Sequence, residues 1–223
     1  MIRRLDLRGR DLTKDGYRRE IPRATLDIST ALTRIEPILE RVKYGDESTL
    51  LSITEEFDGV RPLSIKVSVN ELEKALANLD LSVRAALDEA ISRIIKVHSD
   101  QKRESHTTLV VDGGVVTHRQ IPVDRVGLYV PGGKAVYPSS VMMNVIPAQI
   151  AGVKSIAVAS PAQKDFDGLP HPTILATCAL LGITEVYAIG GAQAIAMFAY
   201  GVDRKSTRLN SSRIPLSRMP SSA

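Results

Sequence analysis

The rhythm of hydrophobic positions changes near residue 105. Before it, the spacing is helical. Residues 27–42 place Ile28, Leu32, Ile35, Ile38 and Leu39 at i, i+4, i+7, i+10 and i+11, one face of a helix. Gly45-Asp46-Glu47 interrupts this face, and residues 48–57 resume it through Leu50, Leu51, Ile53 and Phe57. Asp58-Gly59-Val60-Arg61-Pro62 reads as a turn. Ser68-Val69-Asn70-Glu71 has the form of a capping box, in which the Ser oxygen and the Glu side chain each satisfy the other's backbone amide. Leu72, Leu76 and Leu79 then form a stripe. Residues 82–99 predict a longer amphipathic helix through Val83, Ala86, Leu87, Ala90, Ile91, Ile94 and Ile95.

After residue 105 the pattern is β-branched and alternating. Two valine-rich runs flank Asp112-Gly113-Gly114, which predicts a hairpin, because glycine supplies the positive φ such turns need. Strand-like and helix-like segments then take turns: 126–130 strand, 139–150 helix bent at Pro147, 155–159 strand, 172–181 helix, 184–189 strand, 192–199 helix. Short, regular strand–helix units predict a parallel sheet with crossover helices. The expected class is α/β: a mainly helical region over residues 1–105, then a hairpin and a βαβαβα, Rossmann-like domain over 106–203.

Residues 204–223 differ from both regions. This tail holds Arg204, Lys205, Arg208, Arg213 and Arg218 with no acid, six serines and no apolar period. It is expected to be disordered, because it cannot bury enough apolar surface to offset chain entropy. It reads as a natural basic arm, as an artefact of a cloning scar or mis-joined reading frame, or as a linker to a further domain. It also changes the meaning of the net charge of +4. Without these five cations, 24 basic residues face 25 acidic ones, so the body is nearly neutral. A nucleic-acid partner is therefore not expected. Aromatics at 4%, with no Trp, also argue against base-stacking platforms.

Cys178 is the single cysteine, in an apolar helical context, and reads as a buried small hydrophobe. One cysteine and the lack of an apolar stretch behind Met1-Ile2-Arg3-Arg4 suggest a reducing, cytoplasmic setting. The long uncharged run between Lys134 and Lys154 contains two prolines, Asn144 and Gln149, so it reads as buried core and not as a membrane span.

Ligands of open parallel sheets bind beyond the carboxyl ends of the strands. Two predicted strand ends are glycine-rich: Tyr129-Val130-Pro131-Gly132-Gly133-Lys134 and Ile189-Gly190-Gly191-Ala192-Gln193. Glycine allows close backbone approach, and the next helix offers free N–H groups suited to a pyrophosphate. Neither segment is a GxGxxG or a P-loop, so a pair of tight turns explains them equally well. Tyr129 could meet a cofactor or pack in the core. Gln193 is unexpected as pure core in an apolar helix and could reach a ligand. Lys134 suits a phosphate or a solvated loop. The four histidines, His98, His106, His118 and His171, form no metal-binding spacing.

Residues 126–153 and Ile189-Gly-Gly-Ala-Gln-Ala-Ile-Ala196 strongly resemble histidinol dehydrogenases, as do Leu5-Asp6-Leu7-Arg8-Gly9 and Phe57-Asp58-Gly59-Val60. The likeness covers residues 1 to about 203. It implies an aldehyde-dehydrogenase-like fold, a homodimer, one zinc per site, and oxidation of L-histidinol to L-histidine through the aldehyde with two NAD. It also implies that Tyr129 and Gln193 contact NAD. The resemblance places the family's acid/base pair, zinc ligands and substrate contacts beyond Asp203, so no catalytic or metal residue is expected here. The chain therefore reads as an N-terminal portion, inactive alone. A stand-alone nucleotide-binding module and a basic-tailed nucleic-acid binder remain as alternatives.

Overall fold

The computed structural model describes residues 5–21, 28–132 and 135–201. Gly133, Lys134 and the 204–223 tail, each singled out by its sequence, lie outside the described residues. The chain divides into two compact units, Met1–Glu36 and Pro37–Ala223. In the first, a short helix the apolar pattern does not predict, α1 (Lys14–Glu20), is capped by Thr13, whose hydroxyl accepts from the Gly16 amide at 3.2 Å. It buries no residue, which is why it leaves no apolar stripe.

Helix α2 (Ile28–Tyr44) opens in the first unit and ends in the second. Then come α3 (Glu47–Asp58), α4 (Val69–Ala77) and α5 (Leu81–Gln101). The capping box expected at Ser68 is only half made. Ser68 accepts from the Glu71 amide at 3.3 Å, but the Glu71 carboxylate pairs with Lys74 at 2.8 Å. A complete box sits instead on α3, between Asp46 and Thr49.

The hairpin is present as β1 (His106–Val111) and β2 (Gly114–His118), antiparallel, with an irregularity between Leu109 and Val111. Leu109, Val110, Val111, Val115 and Val116 are all exposed on it.

The sheet is β3 (Arg125–Tyr129), β4 (Ser155–Ser160) and β5 (Val186–Ala188), parallel and in that order. The third strand is shorter than the predicted 184–189. Its ladder still runs from the Glu185 carbonyl, bonded by the Val158 amide, to the Ile189 amide, bonded to the Ser160 carbonyl. Segment 65–67, which the pattern does not reveal, runs antiparallel along the far edge of β5. The Val67 amide donates to the Val186 carbonyl at 2.9 Å and the Ala188 amide to the Ile65 carbonyl at 2.7 Å. Three residues hemmed by Pro62, Ser64 and Ser68 are too few to show a period of two.

Helices α6 (Pro138–Ala151), α7 (Pro172–Leu180) and α8 (Gly191–Tyr200) come after the three strands in turn. Helix α6 continues unbroken past Pro147, although a proline there removes one ladder hydrogen bond. The strand alternation sorts the core into two layers. Val158, Val186 and Ala188 join Val141, Val145 and Ile146 of α6, Ile174 and Cys178 of α7, Leu72 of α4 and Leu87 of α5. Ala157, Ala159 and Tyr187 join Leu50 and Ile53 of α3, Val42 of α2 and Ala194, Met197 and Phe198 of α8. Cys178 is fully buried, and burial pushes its thiol up to about 12, so it is a packing residue.

At the amino ends of the strands, Arg125 ties the sheet together. It donates to Ser155 Oγ at 3.0 Å and pairs with Glu185, which also accepts from the Tyr187 hydroxyl at 2.6 Å. Nearer the middle, α8 lies directly on β3. A Cβ on Gly127 would stand 2.5 Å from the Phe198 ring. Gly127→Ala should therefore destabilise the fold by about 1–3 kcal/mol, the usual cost of overpacking. The check is a lower urea midpoint with an unchanged m-value; an unchanged midpoint would show that α8 can shift at no cost.

Candidate functional site

The three strands deliver their carboxyl ends to one edge of the sheet. After β3 come Val130, Pro131 and Gly132; after β4 come Pro161 and Ala162; after β5 come Ile189 and Gly190. Pro161 is wedged between the two glycine ends. A Cβ on Gly190 would meet its Cγ at 2.6 Å, and one on Gly132 would meet its Cδ at 3.0 Å. Only residues without side chains let these loops close over β4 in this way.

Helix α8 starts at this edge. Gly190 is its N-cap and has no side chain of its own to cap the helix. The first amides of a helix lack partners inside it and carry the positive end of the helix dipole. Tyr129 Oη accepts from the Gly191 amide at 3.2 Å, so the end of β3 is pinned to the start of α8. Gln193 stands two residues further into the turn. It is 3% exposed, and a Cβ on Gly191 would stand 2.7 Å from its Oε1. The Gln193 side chain makes no hydrogen bond to another described residue. The two residues singled out from the sequence thus meet around one helix start. Lys134, the third candidate, lies outside the described residues.

Beside this shelf is a cavity of about 300 Å³, lined by Asp58, Gly132, Pro161, Ala162, Gln163 and Lys164. A larger cavity of about 460 Å³ lies elsewhere, between the end of α5, the segment leading into β3 and the last turn of α6. It includes His98, Lys102 and Arg103 but neither Tyr129 nor Gln193.

Asp58 is the functional candidate that sequence reasoning passes over as part of a turn. Burial pushes its carboxyl above the ordinary 3.8. Its Oδ2 is shielded from solvent with no hydrogen-bond partner. One signal could have found it: an acid as the last residue of α3 sits at the negative end of the helix dipole, where acids are disfavoured.

Comparison with known proteins shows the family. A sequence model of histidinol dehydrogenase matches residues 21–208. The chain belongs to the histidinol dehydrogenase family. The histidinol dehydrogenase of Thermobifida fusca is 61% identical over 201 residues, 90% of this chain and 45% of that protein. That of Streptomyces avermitilis is 58% identical over 204 residues, 91% of this chain and 46% of that protein. The chain thus spans about half the length of the curated histidinol dehydrogenases it matches. A crystal structure of histidinol dehydrogenase from Elizabethkingia anophelis superposes with a TM-score of 0.73 at 31% identity. The match covers 81% of this chain and 41% of that one. The mixed α/β architecture is therefore that of a family of oxidoreductases. No described helix is long and apolar enough to cross a membrane.

The state of Asp58 has a consequence for stability. In the unfolded chain its carboxyl ionises at its ordinary 3.8; in the folded protein it ionises only at higher pH. Folding at neutral pH therefore carries the cost of holding this charge partly desolvated, and that cost vanishes below pH 3.8, where both states are protonated. Asp58→Asn is expected to raise Tm at pH 7, with the gain shrinking as pH falls towards 3.8. Thermal melts of both proteins across that range check it; a lower Tm for the variant at pH 7 would mean the carboxylate is a stabilising group.

Proposed function

We propose that this chain is the NAD-binding portion of a histidinol dehydrogenase, and that the whole protein oxidises L-histidinol to L-histidine through the aldehyde, using two NAD in succession. The supporting observation is the convergence of Tyr129, Gln193, Gly190 and the start of α8 at the carboxyl edge of a parallel sheet. Dinucleotides bind at this edge in related architectures, with the pyrophosphate at a helix start. NAD, when bound, supplies the acceptor for the hydride that leaves the substrate's carbinol carbon.

The chain's own residues bind and orient. The first-turn amides of α8 that follow Gly191 attract the pyrophosphate. Tyr129 accepts from the Gly191 amide, which holds the start of the helix in place, and presents its ring beside the nucleotide. Gln193 has both a donor and an acceptor to fix the cofactor's orientation. Pro161 keeps the loops after β3 and β5 at a constant separation.

Zinc does not fit the described residues: no group of three or more His, Cys, Asp or Glu among them is placed to hold a metal. The reading extends to an aldehyde-dehydrogenase-like fold for the complete protein, a homodimer, a cytoplasmic location and a helical region over 1–105 serving a dinucleotide domain over 106–203. The near-neutral body favours a small-molecule substrate over nucleic acid.

NAD should bind the chain saturably in calorimetric titration. Tyr129→Phe and Gln193→Ala should each weaken it about 2- to 12-fold, the worth of one neutral hydrogen bond. With L-histidinol and NAD supplied, no NADH absorbance at 340 nm should develop above the protein-free rate. Unchanged affinity in both variants would remove these residues from the site, and steady histidinol-dependent NADH would show that this chain holds a complete catalytic centre.

A further inference from the structure

Three of the four buried side-chain atoms without a hydrogen-bond partner among the described residues are Thr54 Oγ1, Asp58 Oδ2 and Ser160 Oγ. They belong to the last turns of α3 and the last residue of β4. Of the three, only Asp58 lines the 300 Å³ cavity, together with Gly132, Pro161, Ala162, Gln163 and Lys164. Shielded polar groups are almost always satisfied in native proteins, so an unpartnered carboxylate oxygen at the wall of a cavity requires an explanation.

An ionised carboxylate is an acceptor only, so what Asp58 lacks is a donor. None of the described residues supplies one. Lys164 lines the same cavity, yet it makes no ion pair with Asp58. Its chain lies instead over Gly59, where a Cβ would stand 2.7 Å from Cε and 2.8 Å from Nζ. Gly59 also ends α3 with φ +68°, a conformation that glycine tolerates best, and so sets where Asp58 points relative to the loop after β4. The cavity opens beside Gly132 and Pro161, next to the shelf formed by Tyr129 and α8.

We infer that Asp58 is the receptor for the ribose diol of an adenine dinucleotide lying across the strand ends, and that it selects NAD over NADP. This rests on the nucleotide reading given above. A vicinal diol brings two hydroxyl donors on neighbouring carbons, matching the two oxygens of one carboxylate. A 2′-phosphate in the same place would bring negative charge against a partly desolvated carboxylate and remove one donor. Asp58 touches the cofactor in this assignment, far from any hydride transfer, and acts in affinity and specificity.

The test is calorimetric titration of the full chain and of Asp58→Asn with NAD and NADP. ADP and 2′,3′-dideoxy-ADP are titrated alongside. On the unmodified chain, NADP should bind at least tenfold more weakly than NAD, and the dideoxy nucleotide about tenfold more weakly than ADP. Asp58→Asn should weaken NAD about tenfold or more, the worth of a hydrogen bond to a charged group, and bring NADP to within about threefold of NAD. It should also abolish the difference between ADP and its dideoxy form. If NAD binds and responds to Gln193→Ala, but Asp58→Asn and loss of the hydroxyls change nothing, the inference fails while the nucleotide reading stands. If NAD does not bind the unmodified chain, both fail. If Asp58→Asn does not fold, equal affinity of ADP and its dideoxy form for the unmodified chain overturns the inference, and a tenfold gap supports it.

Discussion

A parallel strand buried on both faces leaves no side chain to water, and the last four residues of β4 are built under that constraint. Its neighbours in sequence must face opposite layers: Val158 towards α6 and α7, Ala157 and Ala159 towards α3 and α8. The small side chains on the second face let α3 and α8 lie close to the sheet. Gly127 extends the same arrangement to β3, where the Phe198 ring fills the space a side chain would take. Because α8 is held so closely, its first amides open onto the carboxyl edge. The candidate site is thus a consequence of how the core is covered.

The edge itself combines rigid and unsatisfied parts. Pro161 fills the gap between Gly132 and Gly190, and Tyr129 fastens β3 to α8. Around this frame, three side-chain oxygens are left without partners among the described residues: Thr54 Oγ1, Asp58 Oδ2 and Ser160 Oγ. At the opposite edge the Arg125–Glu185–Tyr187 cluster is bonded across all three strands, with only Arg125 Nε unpartnered. One edge uses its polar groups for cohesion and the other keeps them available, the division expected of a fold that binds ligand at strand ends.

Much of this is legible in the sequence because it obeys local periodicity. The helices over 28–44 and 81–101, the Asp-Gly-Gly hairpin and the strand–helix alternation after residue 125 appear where the pattern puts them, although Ile28, Leu32, Val83 and Ile95 of the two expected faces are exposed. Tyr129 and Gln193 are visible because a polar group stands out within an apolar run. The features that escape are those that depend on distant residues. Segment 65–67 becomes part of the sheet only because β5 has a free edge. The Ser68 box fails because Lys74 competes for Glu71 one turn on. Asp58 looks like any turn residue until α3 is set against the loop after β4, over 100 positions later.

Everything functional proposed for this chain depends on the carboxyl edge of β3, β4 and β5 being a dinucleotide site. Titration of the isotopically labelled chain with NAD, tracked by amide chemical shifts, tests that most directly. A dinucleotide at this edge predicts saturable shifts concentrated at Gly132, Ala162, Gly190, Gly191, Ala192 and Gln193, with the amides of Arg125 and Glu185 unmoved. Shifts centred instead on His98, Lys102 and Gln120 around the larger cavity, or no saturable shift at the strand ends, would contradict it.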